Sequence, residues 1–166
     1  IAANYYMSAR DIRFACVRMG NLIGSRGSVI PILRRMSRSG RVTITDPRMT
    51  RFWYDLDDAV NFVIARLLDM HGGEVFVPKT PAMSLVDLVK AVAPGAEMEI
   101  VGIRPGEKLD EILVSRPEAR QTVEFEGYYA VLPDYAEVER YVETTGARHV
   151  SADFEYTSTD PQHLMS

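Results

Sequence analysis

The chain of 166 residues holds one cysteine, Cys16, one tryptophan, Trp53, and three histidines. A lone cysteine excludes an intramolecular disulfide and any cysteine-clustered zinc site. The histidines, His71, His149 and His163, are too scattered for metal-ligand spacing, and no Asp/His/Glu cluster joins them, so no metal is expected. No apolar run approaches the ~18 residues of a membrane-spanning helix, and no basic-then-apolar segment stands at the start. A cytoplasmic protein without a membrane partner is therefore expected. Ile1 stands where an initiator methionine would be, and the stretch reads as part of a longer protein.

What is present is ordinary in bulk and uneven in detail. Hydrophobic residues make up 46% and charged ones 25%, as in a globular protein with a single sizeable core. The net charge of -4 hides a split: residues 1–51 carry ten arginines against Asp11 and Asp46, a net of +8. The other 115 residues hold 9 basic and 21 acidic groups, a net of -12. Such asymmetry suits a first third that faces an anion, such as a nucleotide, a sugar phosphate or RNA. Solvated arginines paired with the acidic remainder are the bland alternative.

The hydrophobic pattern alternates strand and helix. Residues 1–9 read as the tail of a helix, and 13–19 (RFACVRM) as a buried strand with Cys16 a small core residue. A glycine-rich turn follows over 20–27. Ser28 can cap the next helix, Pro31 sits in its first turn and Gly40 ends it. Strands are predicted over 41–45, 74–77 and 97–103, with a short element near 109–114 and a β-rich stretch over 122–132. Asp55 caps a long helix whose Leu56, Val60, Val63, Ile64, Leu67 and Leu68 share one face. Ser84 and Asp87 make a start signal for a helix over 85–93, and a last short helix covers 135–144. The tail from Ser151 reads as irregular. Alternating βα units favour an α/β class, and no linker marks a boundary within the chain.

Three stretches could carry chemistry. The glycine-rich segment Gly20-Asn21-Leu22-Ile23-Gly24-Ser25-Arg26-Gly27 runs toward a helix N-terminus, which suits a phosphate, with Asn21 and Arg26 as further donors. Its spacing is neither the dinucleotide fingerprint Gly-x-Gly-x-x-Gly nor a Walker loop. The run TITDPRMTRFWY, residues 43–54, packs Arg48 and Arg51 beside Phe52, Trp53 and Tyr54. Arginines beside aromatics suit a phosphate and a base; equally, Phe52 and Trp53 could anchor a loop in the core. Arg104-Pro105-Gly106-Glu107-Lys108 offers a guanidinium on a rigid turn, or simply a charged surface turn.

In order and spacing, VRMGNLIGSRGSVIPIL, TITDPRMTRFW, GGEVFVPK and GIRPGEKLDEIL resemble the nucleotide-sugar dehydratases of the extended short-chain dehydrogenase/reductase superfamily. They are most similar to the inverting UDP-N-acetylglucosamine 4,6-dehydratases of pseudaminic acid biosynthesis and flagellin glycosylation. The likeness runs from about Phe14 to Val114 and returns at Asp153–Tyr156. It implies the C-terminal part of an NAD(P)-binding Rossmann-like fold with the small α/β substrate-binding domain, residues 1–166 forming mainly the UDP-sugar-binding part. By match, Asn21 would meet the substrate near the diphosphate, and Arg51 and Arg104 would clamp that group. Glu107 would bind ribose hydroxyls or brace an arginine, and Thr43 would lie near the uracil.

The departure from that family concerns catalysis. None of the eight tyrosines is followed four places on by lysine, and the dinucleotide fingerprint is missing. The catalytic residues and the NADP site are thus expected upstream of Ile1, with this chain alone inactive. The chemistry implied for the whole enzyme is hydride transfer from C4 of the sugar to NADP⁺, loss of water across C5–C6, and return of the hydride to C6. A homo-oligomer is implied as well, and no nucleic-acid partner. Two alternatives remain: a C5-retaining dehydratase or UDP-sugar epimerase on the same scaffold, and a non-catalytic nucleotide- or RNA-binding module that uses the basic first third.

Overall fold

The computed structural model describes residues 12–25 and 28–165. The expected helix over 1–9 and the side chain of Arg26 lie outside the described residues. In chain order the first strands are β1 (Cys16–Val17), β2 (Asn21–Ile23), β3 (Arg41–Ile44), β4 (Thr50–Asp55), β5 (Val75–Pro78) and β6 (Ala82–Ser84). They are followed by β7 (Glu97–Ile100), β8 (Ile112–Val114), β9 (Thr122–Glu124), β10 (Tyr128–Val131), β11 (Arg148–His149) and β12 (Tyr156–Thr157). The helices are α1 (Val29–Ser37), α2 (Leu56–Asp69), α3 (Leu85–Val92) and α4 (Val138–Thr145). These elements form two compact units. One comprises the stretch ending at Met19, Val60–Lys79 and Ile112–Tyr156; the other comprises Gly20–Ala59, Thr80–Glu111 and the chain from Thr157 onward. Each unit is stitched from three separated segments, so no linker composition marks the division in the sequence.

The first unit is organised by a five-stranded sheet in the order β1-β5-β10-β9-β11. β1 runs parallel to β5, and the β10 pairings to β5 and β9 are antiparallel. Phe76, Val123, Ala130, Leu132, Val138 and Ala147 are buried as its core. The predicted strand over 13–19 contracts to Cys16–Val17 at the sheet edge, and Cys16 is exposed rather than a core residue. The cause is alternation: Val17 turns toward the core cluster, so its neighbour turns away.

Helix α2 carries the apolar face read from the sequence, and its Leu56, Val60, Val63, Ile64, Leu67 and Leu68 are exposed, Leu68 by 82%. The side that packs within the first unit carries Phe62 and Arg66. The Arg66 guanidinium lies 3.9 Å from the Tyr128 ring centroid and 5.8 Å from that of Phe76, and it donates to Asp69 at 2.6 Å. An arginine that spreads over aromatic faces buries its stem and ring-facing plane as effectively as an aliphatic residue. Burial, with the nearby Glu74 and Asp69 carboxylates, pushes the Tyr141 hydroxyl well above its usual range.

The second unit has a three-stranded sheet β2-β4-β6 and a parallel pair β3-β7. Leu33, Val42, Ile44, Trp53, Leu88, Val89 and Ala93 form its core. The glycine-rich stretch expected to be a turn opens instead as β2, parallel to β4 with Asn21 opposite Trp53. Gly20 permits this: a Cβ there would stand 2.5 Å from the Phe52 Cβ and 2.7 Å from the Phe52 carbonyl oxygen. The run TRFWYD, read above as a possible loop, is strand β4. Helix α3 starts as predicted, the Ser84 hydroxyl accepting from the Asp87 N–H at 3.0 Å and donating to its carboxylate at 2.6 Å. Ser28 stands at the N-cap of α1, but its side chain makes no cap hydrogen bond.

Two outcomes are expected from these packings. Gly20→Ala forces β2 off Phe52 and lowers stability by about 1–3 kcal/mol, read as a lower urea midpoint. Within the first unit, burial raises the Glu118 carboxyl. The Arg18 guanidinium, at 2.9 and 3.1 Å, and the Ser115 N–H and hydroxyl outweigh that effect and hold it at about 2. A carboxyl depressed by folding stabilises the fold fully above its unfolded value, and that stabilisation is lost as pH falls through the folded one. The stability gap between the native protein and Glu118→Gln is therefore constant above about pH 5 and narrows toward pH 2. Urea midpoints that fall in parallel would count against the pair.

Candidate functional site: an arginine-rimmed cavity

Strand β4 supplies the wall of a cavity in the second unit because a strand's side chains alternate between faces. Arg51 and Trp53, with Met49 two residues earlier, line it, while Phe52 turns the other way and is fully buried. The parallel register that sets Asn21 opposite Trp53 brings Asn21 to the same wall. Thr43, Ile44 and Thr45, at the end of β3, line it too, as do Val29 and Leu33 of α1 and Leu85 of α3. Arg104 and Glu107 come from the loop after β7. The cavity measures about 230 Å³. Its floor is apolar and its rim carries two guanidinium groups, a carboxylate, an amide and threonine hydroxyls. That is the composition of a site for a flat, partly apolar group joined to an anion.

All five residues singled out from the sequence, Asn21, Thr43, Arg51, Arg104 and Glu107, thus line one cavity. Their states differ. The Arg104 side chain is exposed and makes no hydrogen bond or ion pair among the described residues, while its N–H donates to the Glu107 carboxylate at 2.9 Å. Arg51 is already engaged. Its Nη1 donates to the carbonyls of Thr50 at 2.7 Å and Leu109 at 3.1 Å, and its Nη2 donates to that of Lys108 at 2.7 Å. Its Nη2 also donates to Met49 Sδ at 3.7 Å, so all four Nη hydrogens are engaged and a ligand could take one only by displacing a contact, the weak sulfur one first. The Asn21 amide nitrogen donates to Phe52 O at 3.4 Å and Glu111 Oε1 at 3.1 Å. Since both partners are acceptors only, nitrogen must face them.

Arg48, the other arginine of the run, is not a cavity residue. It curls onto Asp46 through Nε at 3.0 Å and Nη2 at 2.8 Å, and these bonds hold the Asp46 carboxyl at about 2. Trp53 both walls the cavity and joins the core, at 5% exposure. Glu111, at the far end of the Arg104 loop, lies inside the run GIRPGEKLDEIL quoted above but was given no role there, since nothing local sets it apart from the acidic residues around it. The apolar wall residues were readable only as core positions.

A family model described as polysaccharide biosynthesis protein matches residues 1–133. The chain is 46% identical over 142 residues to a Campylobacter jejuni protein named UDP-N-acetylglucosamine 4,6-dehydratase (inverting), covering 84% of this chain and 42% of that one. It is 37% identical over 158 residues to a Rickettsia conorii UDP-glucose 4-epimerase, covering 90% of this chain and 46% of that one. It therefore spans less than half the length of these curated relatives. Among solved structures, one titled X-ray structure of Pen from Bacillus thuringiensis aligns with a TM-score of 0.83 at 30% identity, over 99% of this chain and 50% of that one. The NAD complex of a Thermus thermophilus UDP-glucose 4-epimerase aligns with a TM-score of 0.54 at 19% identity, over 65% of this chain and 40% of that one, a likeness of fold. The α/β fold is that of the Rossmann-like short-chain dehydrogenases, as the sequence led us to expect, and the chain belongs to the polysaccharide biosynthesis protein family.

Proposed function

We propose that this chain is the UDP-sugar-binding portion of an inverting UDP-N-acetylglucosamine 4,6-dehydratase. The observation that carries the reading is the single cavity lined by Asn21, Thr43, Arg51, Arg104 and Glu107. The uracil would enter between the apolar floor and Thr43. The diphosphate would meet Arg104, whose guanidinium can give two parallel charge-assisted hydrogen bonds, with the charge of Arg51 beside it. Asn21 would stand near the diphosphate as a wall residue that ties β2 to β4, its two amide hydrogens being given to Phe52 O and Glu111. Glu107, fixed by the Arg104 N–H, would take the ribose hydroxyls. Holding the nucleotide handle positions the hexose for reaction elsewhere, so remote binding energy becomes orientation at C4 to C6.

NADP would supply the hydride acceptor and donor. The described residues offer it no dinucleotide cradle: the glycine-rich stretch lacks the fingerprint spacing, and Asn21–Ile23 within it is strand β2. Cofactor binding and proton transfer are accordingly assigned to residues outside these 166, and the chain alone is expected to be inactive. Cytoplasmic location, a homo-oligomeric state and a place in pseudaminic acid synthesis belong to the same proposal. The names of the Rickettsia relatives favour a second reading, a UDP-sugar 4-epimerase.

Two measurements test this. In calorimetric titration with UDP, Arg104→Ala is expected to weaken binding about tenfold or more, the loss of a charge-assisted pair. An unchanged affinity removes Arg104 from the site. For the intact protein turning over UDP-N-acetylglucosamine in heavy water, the expected product is the 4-keto-6-deoxy-L-arabino-hexose, deuterated at C5. A D-xylo ketone means retention, and a C4 epimer without loss of water means the second reading is right.

A further inference from the structure

Glu111 does not line the cavity itself, but its carboxylate holds two residues that do, Asn21 and Arg51. One carboxylate oxygen accepts from the Asn21 amide at 3.1 Å and stands 3.7 Å from Arg51 Nε; the other accepts from the Phe52 N–H at 3.0 Å. Its own backbone is pinned. The Glu111 N–H donates to the Ser158 hydroxyl at 2.9 Å, the Ser158 N–H donates back to the Glu111 carbonyl at 2.9 Å, and the Ser158 hydroxyl pairs with that of Thr50 at 2.8 Å. Ser158 is fully buried, so this anchor is solid. Arg51 grips the same loop two and three residues earlier, at the carbonyls of Leu109 and Lys108.

We propose that Glu111 is a positioning residue of the nucleotide site, its carboxylate locking the Asn21 amide and the Arg51 guanidinium and tying the Arg104–Glu107 loop to β4. This role rests on the UDP-site reading above. The chemistry is specific to a carboxylate, which has acceptors on both oxygens and no donor. Three N–H groups converge on it from β2 and β4. An amide in its place must aim its NH₂ at one of these donors, whichever way it is turned. The negative charge also lies beside Arg51, where it holds a half-buried guanidinium in one orientation. Each held group belongs to the diphosphate end of the site rather than to the uracil end at Thr43. Loosening Glu111 should therefore be felt by phosphate and not by base.

That separation gives the test: titration of UDP and of uridine into the protein and its Glu111→Gln, Arg51→Ala and double variants. The native protein is expected to bind both ligands. Glu111→Gln is expected to weaken UDP about tenfold while uridine stays within about twofold. The Arg51→Ala/Glu111→Gln pair should lose less than the two single losses combined, since Glu111 acts partly through Arg51. Glu111→Asp, with charge kept and reach shortened, should show a smaller loss of the same kind; it carries the test if the Gln variant does not fold. Parallel losses for UDP and uridine, or fully additive losses, overturn the positioning role and leave a scaffold residue. Native-like UDP affinity in Glu111→Gln overturns it alone, with the nucleotide site intact. A native protein that binds neither ligand overturns the nucleotide reading and this role with it.

Discussion

Strand β4 must satisfy two faces at once, and the second unit depends on its doing so. Its even residues, Thr50 and Phe52, are buried. Its odd residues, Arg51 and Trp53, wall the cavity. The close approach of β2 across Gly20 locks this arrangement, because the parallel register then offers Asn21 only the Trp53 side. A one-residue slip would exchange the faces, placing a guanidinium in the core and a phenyl ring at the rim. The cavity wall and the core are thus the two sides of one six-residue strand, and neither can be altered without the other.

How much of this was legible in the sequence follows from which signals are local. The capping of α3 by Ser84 and Asp87 was, since it needs only a few neighbouring residues. So were the alternation of strands and helices and the β-rich stretch over 122–132, which holds β9 and β10. The five cavity residues were legible through the order of motifs, not through spacing, because β2, β3, β4 and the Arg104 loop meet by tertiary register. Glu111 was not legible: its partners Asn21 and Arg51 lie 90 and 60 positions away, and no period connects them. The aliphatic stripe of α2 was visible, but periodicity reports a face without saying what covers it. Arg66, polar by composition, lies instead on the aromatic rings within the first unit.

The charge split of the chain changes meaning once contacts are known. Of the arginines between residues 41 and 51, Arg48 is tied to Asp46 and Arg41 stands within 4 Å of Glu97 and Glu99. Arg51 lies beside Glu111. Counted formally, the cavity's Arg51 and Arg104 are balanced by Glu107 and the adjoining Glu111, so these four described charges sum to zero. A site of this kind cannot rely on long-range attraction, which a basic surface for RNA would use and salt would screen. What remains is short-range geometry: a diphosphate must find donors already aimed at it, because water competes for every hydrogen bond that is not preorganised. Arg104 offers the exposed fork, and the bonds that pin its loop to β4 decide where that fork stands. Selectivity for a nucleoside diphosphate over another anion would then reside in the fixed distance between the apolar floor and that loop, not in the charge that first drew attention to the segment.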